Sequence, residues 1–343
     1  MITAVASIVI FFLLIWIHEL GHFLAAKKVG IVVKEFSIGF GPLLAKTRKK
    51  ETQYSLRLIP LGGFVKMKGM DLEEGEEEED DRGSFTKASV WQRALVLFAG
   101  SGMNLLLAVV LLALVFSAFG IPKAIPVVEQ VQPNMPAAEA GFKPGDKIIA
   151  VNETKITSWE QLVEKISKNP NKPLTFKIIR ENMEKTIVVT PRPDDQGQGK
   201  IGIVPRQEIE RKPIWEGLYL GFVYTFKIIA LIVVFLGKML VNQAPMELGG
   251  PVRVVSEIGR AAQFGLSSLV QLAAFLSINL GIFNLLPIPA LDGSRIMFVL
   301  AEALRGKPID PEKENFIHLI GFGLLLLLML IITYKDIISL IGG

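Results

Sequence analysis

The chain has 343 residues, a formal net charge of +4, no cysteine and three histidines, and half of its residues are apolar. Its mean hydropathy of +0.45, with the apolar residues gathered in long blocks, excludes an ordinary soluble enzyme of this length. The lack of cysteine excludes disulfides and thiolate metal sites. No basic stretch is interleaved with aromatics, so no nucleic-acid partner is expected.

Residues 2–26 form the first apolar segment. They carry no cationic start and no small-residue cleavage site after the apolar run, which reads as a retained membrane helix rather than a signal peptide. Inside this helix stand His18, Glu19 and His22. Positions four apart share one helix face, so both imidazoles can reach one metal ion while Glu19 projects beside them as a base for a polarised water. The alternative is three polar residues satisfied by neighbouring helices. Each ionisable group at mid-membrane costs about 2.5–3.5 kcal/mol, which weighs against a cluster without a purpose.

Lys27, Lys28, Lys34, Lys46, Arg48, Lys49 and Lys50 follow. By the positive-inside rule they place this side in the cytoplasm and His18 to His22 toward the cytoplasmic end of their helix. The glycines of Leu61-Gly-Gly-Phe64 fit a hairpin turn or a close backbone approach. The acidic run Glu73 to Asp81 reads as a solvated, flexible loop. A second strong apolar segment covers residues 92–119.

Residues 122–205 differ in kind. Charge returns, and alternation in Leu174–Ile179 and Lys185–Val189 predicts strands, with a tight turn at Asn152-Glu153. Eighty residues suffice for one small domain, expected outside the cell. The run Pro136-Ala-Ala-Glu-Ala-Gly-Phe-Lys-Pro-Gly-Asp-Lys-Ile-Ile-Ala-Val-Asn152 resembles the signature of bacterial PDZ domains. That resemblance implies a peptide groove at Ile201, Gly202 and Ile203, in the stretch Gly199–Val204. A generic αβ spacer is the alternative.

The later apolar segments are 214–240, which carries Glu216, Lys227 and Lys238, then 266–290 and 316–334. The segment 266–290 closes on Asn284-Leu-Leu-Pro-Ile-Pro-Ala-Leu-Asp-Gly293, where Pro287 and Pro289 must break regular helix. Broken backbone at membrane depth is tolerated where it lines a cavity. Asp292 is therefore the best candidate for a third metal ligand. The other reading is a helix-end carboxylate reaching for headgroups.

His-Glu-Leu-Gly-His in the first helix and Asn-x-x-Pro-x-Pro-x-Leu-Asp-Gly in a late one together resemble the site-2 protease family of intramembrane zinc metalloproteases. Phe36–Pro42, Ile59–Lys66, Ala99–Asn104 and Gly249-Gly-Pro-Val252 extend the likeness over nearly the whole chain. With the PDZ insertion it resembles the bacterial branch that acts on anti-sigma factors, which implies an inner-membrane location. The resemblance implies Zn2+ as cofactor, His18, His22 and Asp292 as ligands and Glu19 as catalytic residue. It implies contacts to substrate or oxyanion from Asn284, Pro287, Pro289, Gly62, Gly63 and Asn104, and a membrane-associated β-hairpin over residues 59–67. Two departures stand out: some relatives carry tandem PDZ domains where this chain has room for one, and the usual Gly-Pro-x-x-Asn reads Gly100-Ser-Gly-Met-Asn104.

The expected fold class is a polytopic α-helical membrane protein with four transmembrane helices, an inserted α+β PDZ domain and a membrane-associated β-hairpin. Its expected parts are residues 1–120, 121–206 (PDZ), 207–262 and 263–343. If residues 214–240 crossed fully, Asp292 would fall on the wrong side from His18, so they are expected to lie along or partly within the outer leaflet. Expected partners are the lipid bilayer and single-pass membrane substrates; oligomeric state is left open. A non-proteolytic PDZ adaptor with a structural zinc is the alternative function, and Glu19 argues against it. A zincin with its metal in a cytoplasmic domain is the third, opposed by the ligands' place in apolar helices.

Overall fold

A computed structural model describes residues 2–70, 82–241, 243, 249–307 and 309–341. The expected acidic loop at 73–81 lies outside the described residues. In chain order the elements are α1 (Ile2–Val29), β1 (Val33–Lys49), β2 (Thr52–Met67), α2 (Val90–Leu114), β3 (Ile121–Val131), α3 (Pro136–Glu139), β4 (Lys147–Val151) and β5 (Thr154–Lys155). There follow α4 (Trp159–Ser167), β6 (Leu174–Arg180), β7 (Met183–Val189), β8 (Arg192–Pro193), β9 (Gly199–Lys200) and β10 (Ile203–Glu210). The chain then forms α5 (Ile214–Leu240), α6 (Pro251–Phe264), α7 (Leu266–Asn284), α8 (Asp292–Arg305) and α9 (Pro311–Ile341). Two compact units result, Met1–Ser117 with Pro213–Gly343, and Ala118–Lys212.

The helical unit is built on α1, α2 and α7. In lipid a spanning segment must satisfy its backbone internally, so these apolar runs are helices. A capping box starts α2: Ser89 Oγ accepts from Gln92 N–H, and Gln92 Oε1 accepts from Ser89 N–H. Small residues set how close the helices come, as is usual where lipid leaves no hydrophobic drive between them. A Cβ on Gly21 would stand 2.3 Å from Ala99 O, and one on Gly281 would be 3.0 Å from Leu105 Cδ2. Ser277 Oγ donates to Asn104 O at 2.7 Å.

Helix directions follow from these contacts. α1 and α2 are antiparallel, with Gly21 at Ala99 and an apolar cluster joining Ile10 and Leu14 to Leu107 and Leu111. α7 starts in that same cluster through Leu269 and Leu272 and ends with Asn284 beside His18. α9 runs back, from Gly321 on Pro289 to Ile332 and Asp336 at Gly250. Among the described residues, five helices are long and apolar enough to cross a membrane: α1, α2 with its final turn, α5, α7 and α9. α5 is among them, and it lies lengthwise against α2 rather than across the helix ends. Gly217 meets Ser117, Gly221 meets Val109, and Ile228, Ile229 and Ile232 join a cluster with Leu105 and Ala108.

β1 and β2 are long, bent strands that make more than a simple hairpin. Residues 35–38 pair on one side with 63–66 and on the other with 53–56, while 45–49 pair with 52–56. The run Gly63–Met67 is thus paired along one side, with Val33–Ile38.

In the second unit the sheet runs β10-β3-β4-β6-β7, with β5 on β4. The strands expected at 174–179 and 185–189 are β6 and β7, and Asn152 and Glu153, both at positive φ, turn β4 into β5. Phe176, Ile148, Ile178, Val151 and Val128 fill the core against Leu162 and Ile166 of α4. Ile201 belongs to that core, with 2% exposure, and does not face a groove. The carbonyls of Ile201 and Gly202 are taken by the N–H groups of Ala137 and Gln132, and Ile203 pairs with Val131. Of these backbone acceptors, that of Ile201 is thus taken by α3 and that of Gly202 by Gln132, while Ile203 belongs to the β10–β3 ladder.

Asp146 is wholly buried and accepts from Lys143 N–H at 2.8 Å and from Arg180 Nε and Nη2 at 2.7 Å each. Removing one side of a buried pair strands the other charge. Asp146→Ala is expected to destabilise the 118–212 unit by about 1–3 kcal/mol, read as accelerated limited proteolysis between β4 and β6 in the intact protein.

Candidate metal centre and catalytic cavity

His18 and His22 leave α1 one turn apart on the face turned to α2. His22 Nδ1 donates to the carbonyl of Val96 at 2.8 Å, which fixes the tautomer and leaves Nε2 with its lone pair. His18 Nδ1 lies 3.3 Å from the carboxamide of Asn104, which is wholly buried. Asn104 Oδ1 has no other partner. Rotating the amide so that Oδ1 accepts from His18 Nδ1–H leaves His18 Nε2 bare as well.

The third group arrives from the broken stretch between α7 and α8. Leu285 and Leu286 N–H close the end of α7, and Ile288 N–H bonds Leu286 O at 2.7 Å. Gly293 sits so tightly under this turn that a Cβ would be 2.3 Å from the carbonyl oxygens of Leu285 and Leu286. The turn carries Asp292 to the histidines. Asp292 Oδ2 is 3.1 Å from His18 Nε2 and 3.3 Å from His22 Nε2, and the two nitrogens are 3.2 Å apart. Asp292 Oδ2 is buried and has no hydrogen-bond geometry to either ring.

Gly100 makes room for the cluster. A Cβ there would stand 2.3 Å from His22 Nε2 and 2.8 Å from His18 Cε1. Glu19 shares a cavity of about 380 Å³ with the three residues, together with Phe64, Val65 and Met67 of β2, Asn284 and Arg295. Gly63 is the residue of β2 that meets Glu19: a Cβ at 63 would be 3.3 Å from Glu19 Cγ and 2.8 Å from Ser37 O. Behind this strand Arg57 donates to Ser37 Oγ, to Gly41 O and to Glu35, with its guanidinium 5.2 Å from the Phe64 ring centre. Burial opposes a charge on Glu35, but hydrogen bonds from Ser55 and Arg57 outweigh it and hold that carboxyl below the usual range.

Of the residues singled out in the sequence, His18, Glu19, His22, Asp292, Asn284 and Gly63 come together around one cavity. Asn284 Nδ2 is 3.5 Å from His18 Nε2. Asn104 does not reach the cavity, because it is buried behind His18; it supports the ring and cannot touch substrate. Gly62, at φ +117, lies under the Phe40 ring, and Pro289 is packed on Gly321 of α9. Neither they nor Pro287 is among the residues that line the cavity. The Val96 contact was beyond sequence reasoning, since a backbone carbonyl leaves no residue-type signal. Gly100 stood in a quoted motif, but its steric role shows only when the imidazoles are in place.

Two imidazoles, a carboxylate and an adjacent glutamate in one cavity among apolar helices define a membrane-embedded metallohydrolase. The profile of peptidase family M50 matches residues 6–328, and the chain belongs to that family. It is 34% identical to the zinc metalloprotease RasP of Geobacillus kaustophilus, over 97% of each chain. It is 35% identical to the regulator of sigma-W protease RasP of Bacillus subtilis, over 98% of each. A Clostridium acetobutylicum relative is 37% identical over 336 residues and 97% of each chain. The Geobacillus alignment runs over 408 positions, so that relative carries inserted sequence against the 343 residues here. The protein is a zinc metalloprotease.

The residues present fit zinc. A tetrahedral ion with bonds of about 2.0–2.1 Å separates its donors by about 3.3–3.4 Å, close to the three distances observed. All three donor atoms are acceptors facing one another, an arrangement that a cation relieves. Gly100→Ala is therefore expected to weaken zinc binding by about 100-fold or more, measured by chelator competition, with helix content unchanged by circular dichroism.

Proposed function

We propose that this M50 peptidase cuts single-pass membrane proteins inside the apolar layer near its cytoplasmic face, with His18, His22 and Asp292 holding zinc and Glu19 as general base. The observation that carries this reading is the convergence of the three donors beside Glu19 and the β2 strand in one cavity. When bound, zinc supplies Lewis acidity toward water and toward the scissile carbonyl. Glu19 takes the proton of the attacking water and returns it to the leaving amine. Asn284, on the opposite wall, donates its amide N–H to the carbonyl oxygen of the substrate.

A helical substrate hides its amides in its own hydrogen bonds, so it must unwind to be cut. Gly63–Val65, paired along one side with Phe36–Ile38, offers its other edge to an extended segment, the β-addition mode of peptide binding. The glycine at 63 lets that segment approach Glu19 closely.

The topology that fits has four complete crossings, α1, α2, α7 and α9, with the start of α1 outside. α5 enters from the outer side along α2 without completing a passage. Supporting this, α5 and α7 both begin at the end of α2 remote from the metal centre, and α6 between them packs on Thr3 through Gly259. The 118–212 unit, read as the single PDZ domain, then lies outside and screens or recruits substrates. Anti-sigma factors already trimmed by another protease, and signal-peptide remnants, are the proposed substrate class. The sigma-W regulator named for the Bacillus subtilis relative supports the first of these.

Glu19→Gln is expected to lower cleavage of a model transmembrane substrate by about 10²–10⁴-fold in detergent while leaving zinc content unchanged. Cleavage at the parent rate would sink the proteolytic role of Glu19. For topology, cysteines replacing Glu257 and Arg305 should label from the outer and the cytoplasmic face respectively. Labelling of both from one face rules the four-crossing arrangement out.

A further inference from the structure

We propose that His318 is a positioning residue of the catalytic centre, whose Nδ1 holds the backbone turn that presents Asp292. The inference rests on the reading of Asp292 as a zinc ligand.

The chain has three histidines, and the third stands apart from the metal cluster, early in α9. It is buried, and its Nδ1 accepts the backbone N–H of Ala290 at 3.0 Å. Ala290 has φ +76, in the left-handed region that an L-residue holds only where its surroundings impose it. The rest of the turn looks after itself. Ile288 N–H bonds Leu286 O, Leu291 N–H bonds Ile288 O, and Pro287 and Pro289 have no N–H to satisfy. Ala290 has its donor aimed away from the turn, and α9 supplies the acceptor. Without one, a polar N–H would be left unpaired in an apolar layer.

The ring is fixed on its other sides. Gly321, three residues on along the same helix face, admits Pro289 so closely that a Cβ would be 2.2 Å from the proline Cβ. Phe298 of α8 meets the His318 ring edge to face, with centroids 5.6 Å apart. His318 Nε2 is buried, 3.7 Å from Glu314 Oε1, and makes no hydrogen bond. Nδ1 accepts, so Nε2 bears the proton. The imidazole thus ties α9, the turn and α8 together two residues before Asp292, which must meet His18 and His22 at 3.1 and 3.3 Å. A turn that relaxed from its left-handed residue would swing the carboxylate out of reach.

The test uses the full-length protein in detergent, with zinc affinity by chelator competition, cleavage of a model transmembrane substrate, and the ligand-field spectrum of the cobalt-substituted form. His318→Phe keeps the ring and removes the acceptor; His318→Asn places an amide oxygen where Nδ1 was. His318→Phe is expected to weaken zinc binding by about 10–100-fold, lower kcat and alter the cobalt spectrum, and His318→Asn to restore all three to within about threefold of the parent. Equal behaviour of the two variants means that packing matters and the acceptor does not, and overturns the proposal. So does a His318→Phe protein with parental zinc affinity and spectrum. Asp292→Ala separates the two layers. Zinc retained there removes the ligand assignment, and the role of His318 with it. Zinc lost there but kept in His318→Phe removes the role of His318 alone.

Discussion

Two imidazole nitrogens and a carboxylate oxygen meet at 3.1–3.3 Å, inside a bundle whose walls are apolar. Each is an acceptor, and a cation between them makes the arrangement favourable. Much of the helical unit follows from bringing them there. α1 and α7 must both run from the same end of the bundle toward the cluster, with α2 between them in the opposite sense. Glycine must stand at 21 and 100 so that α2 can press against the two histidines. Helix must fail between 285 and 291 so that the chain can turn a carboxylate inward.

The supports of the cluster come from groups with no ligand role. The carbonyl of Val96 and the amide of Asn104 set the two tautomers, and both lie on α2. α2 is thereby the template of the site: it carries the glycine that makes space and the two acceptors that orient the rings. α8 is bound to the start of the same helix through the bidentate pair of Arg93 with Glu302, at 2.7 and 2.9 Å. Asp292 begins α8, so the third donor is tied to α2 as firmly as the first two.

His18, Glu19 and His22 were legible because helix geometry and membrane cost are both local: spacing fixes the face, and burial of charge needs a reason. Asp292 was legible because two prolines at membrane depth have few explanations. Asn104 was misplaced, since its sequence neighbourhood marks it as part of the site without saying on which side of His18 it stands. At 201–203 the sequence did not show how the backbone is bonded, for a related reason. A Gly-flanked apolar stretch reads alike whether its backbone is open or bonded to α3. The hairpin was foreseen over 59–67, but its true extent, 33–67 with strands folded back on themselves, depends on pairings that periodicity does not encode. For α5, Lys227 and Lys238 suggested a helix along or partly within the outer leaflet, and Gly217 and Gly221 show which of its faces packs on α2.

The β2 edge and the metal cluster impose opposite demands on the same few ångströms. An enzyme that cuts within lipid must admit an unwound segment, whose amides then need partners that the bilayer does not provide. A strand edge provides them, but an exposed edge in an apolar layer is itself costly. The sheet lessens that cost by placing the edge beside the polar walls of the cavity, at Glu19, Asn284 and Arg295, where water enters to react. Arg57 braces the strand from behind through Ser37, Gly41 and Glu35, so the edge can stay ordered without a substrate. Under the proposed reaction the hairpin and the hydrolytic centre are one device: the cavity that admits water beside His18, His22 and Asp292 also makes the open edge tolerable.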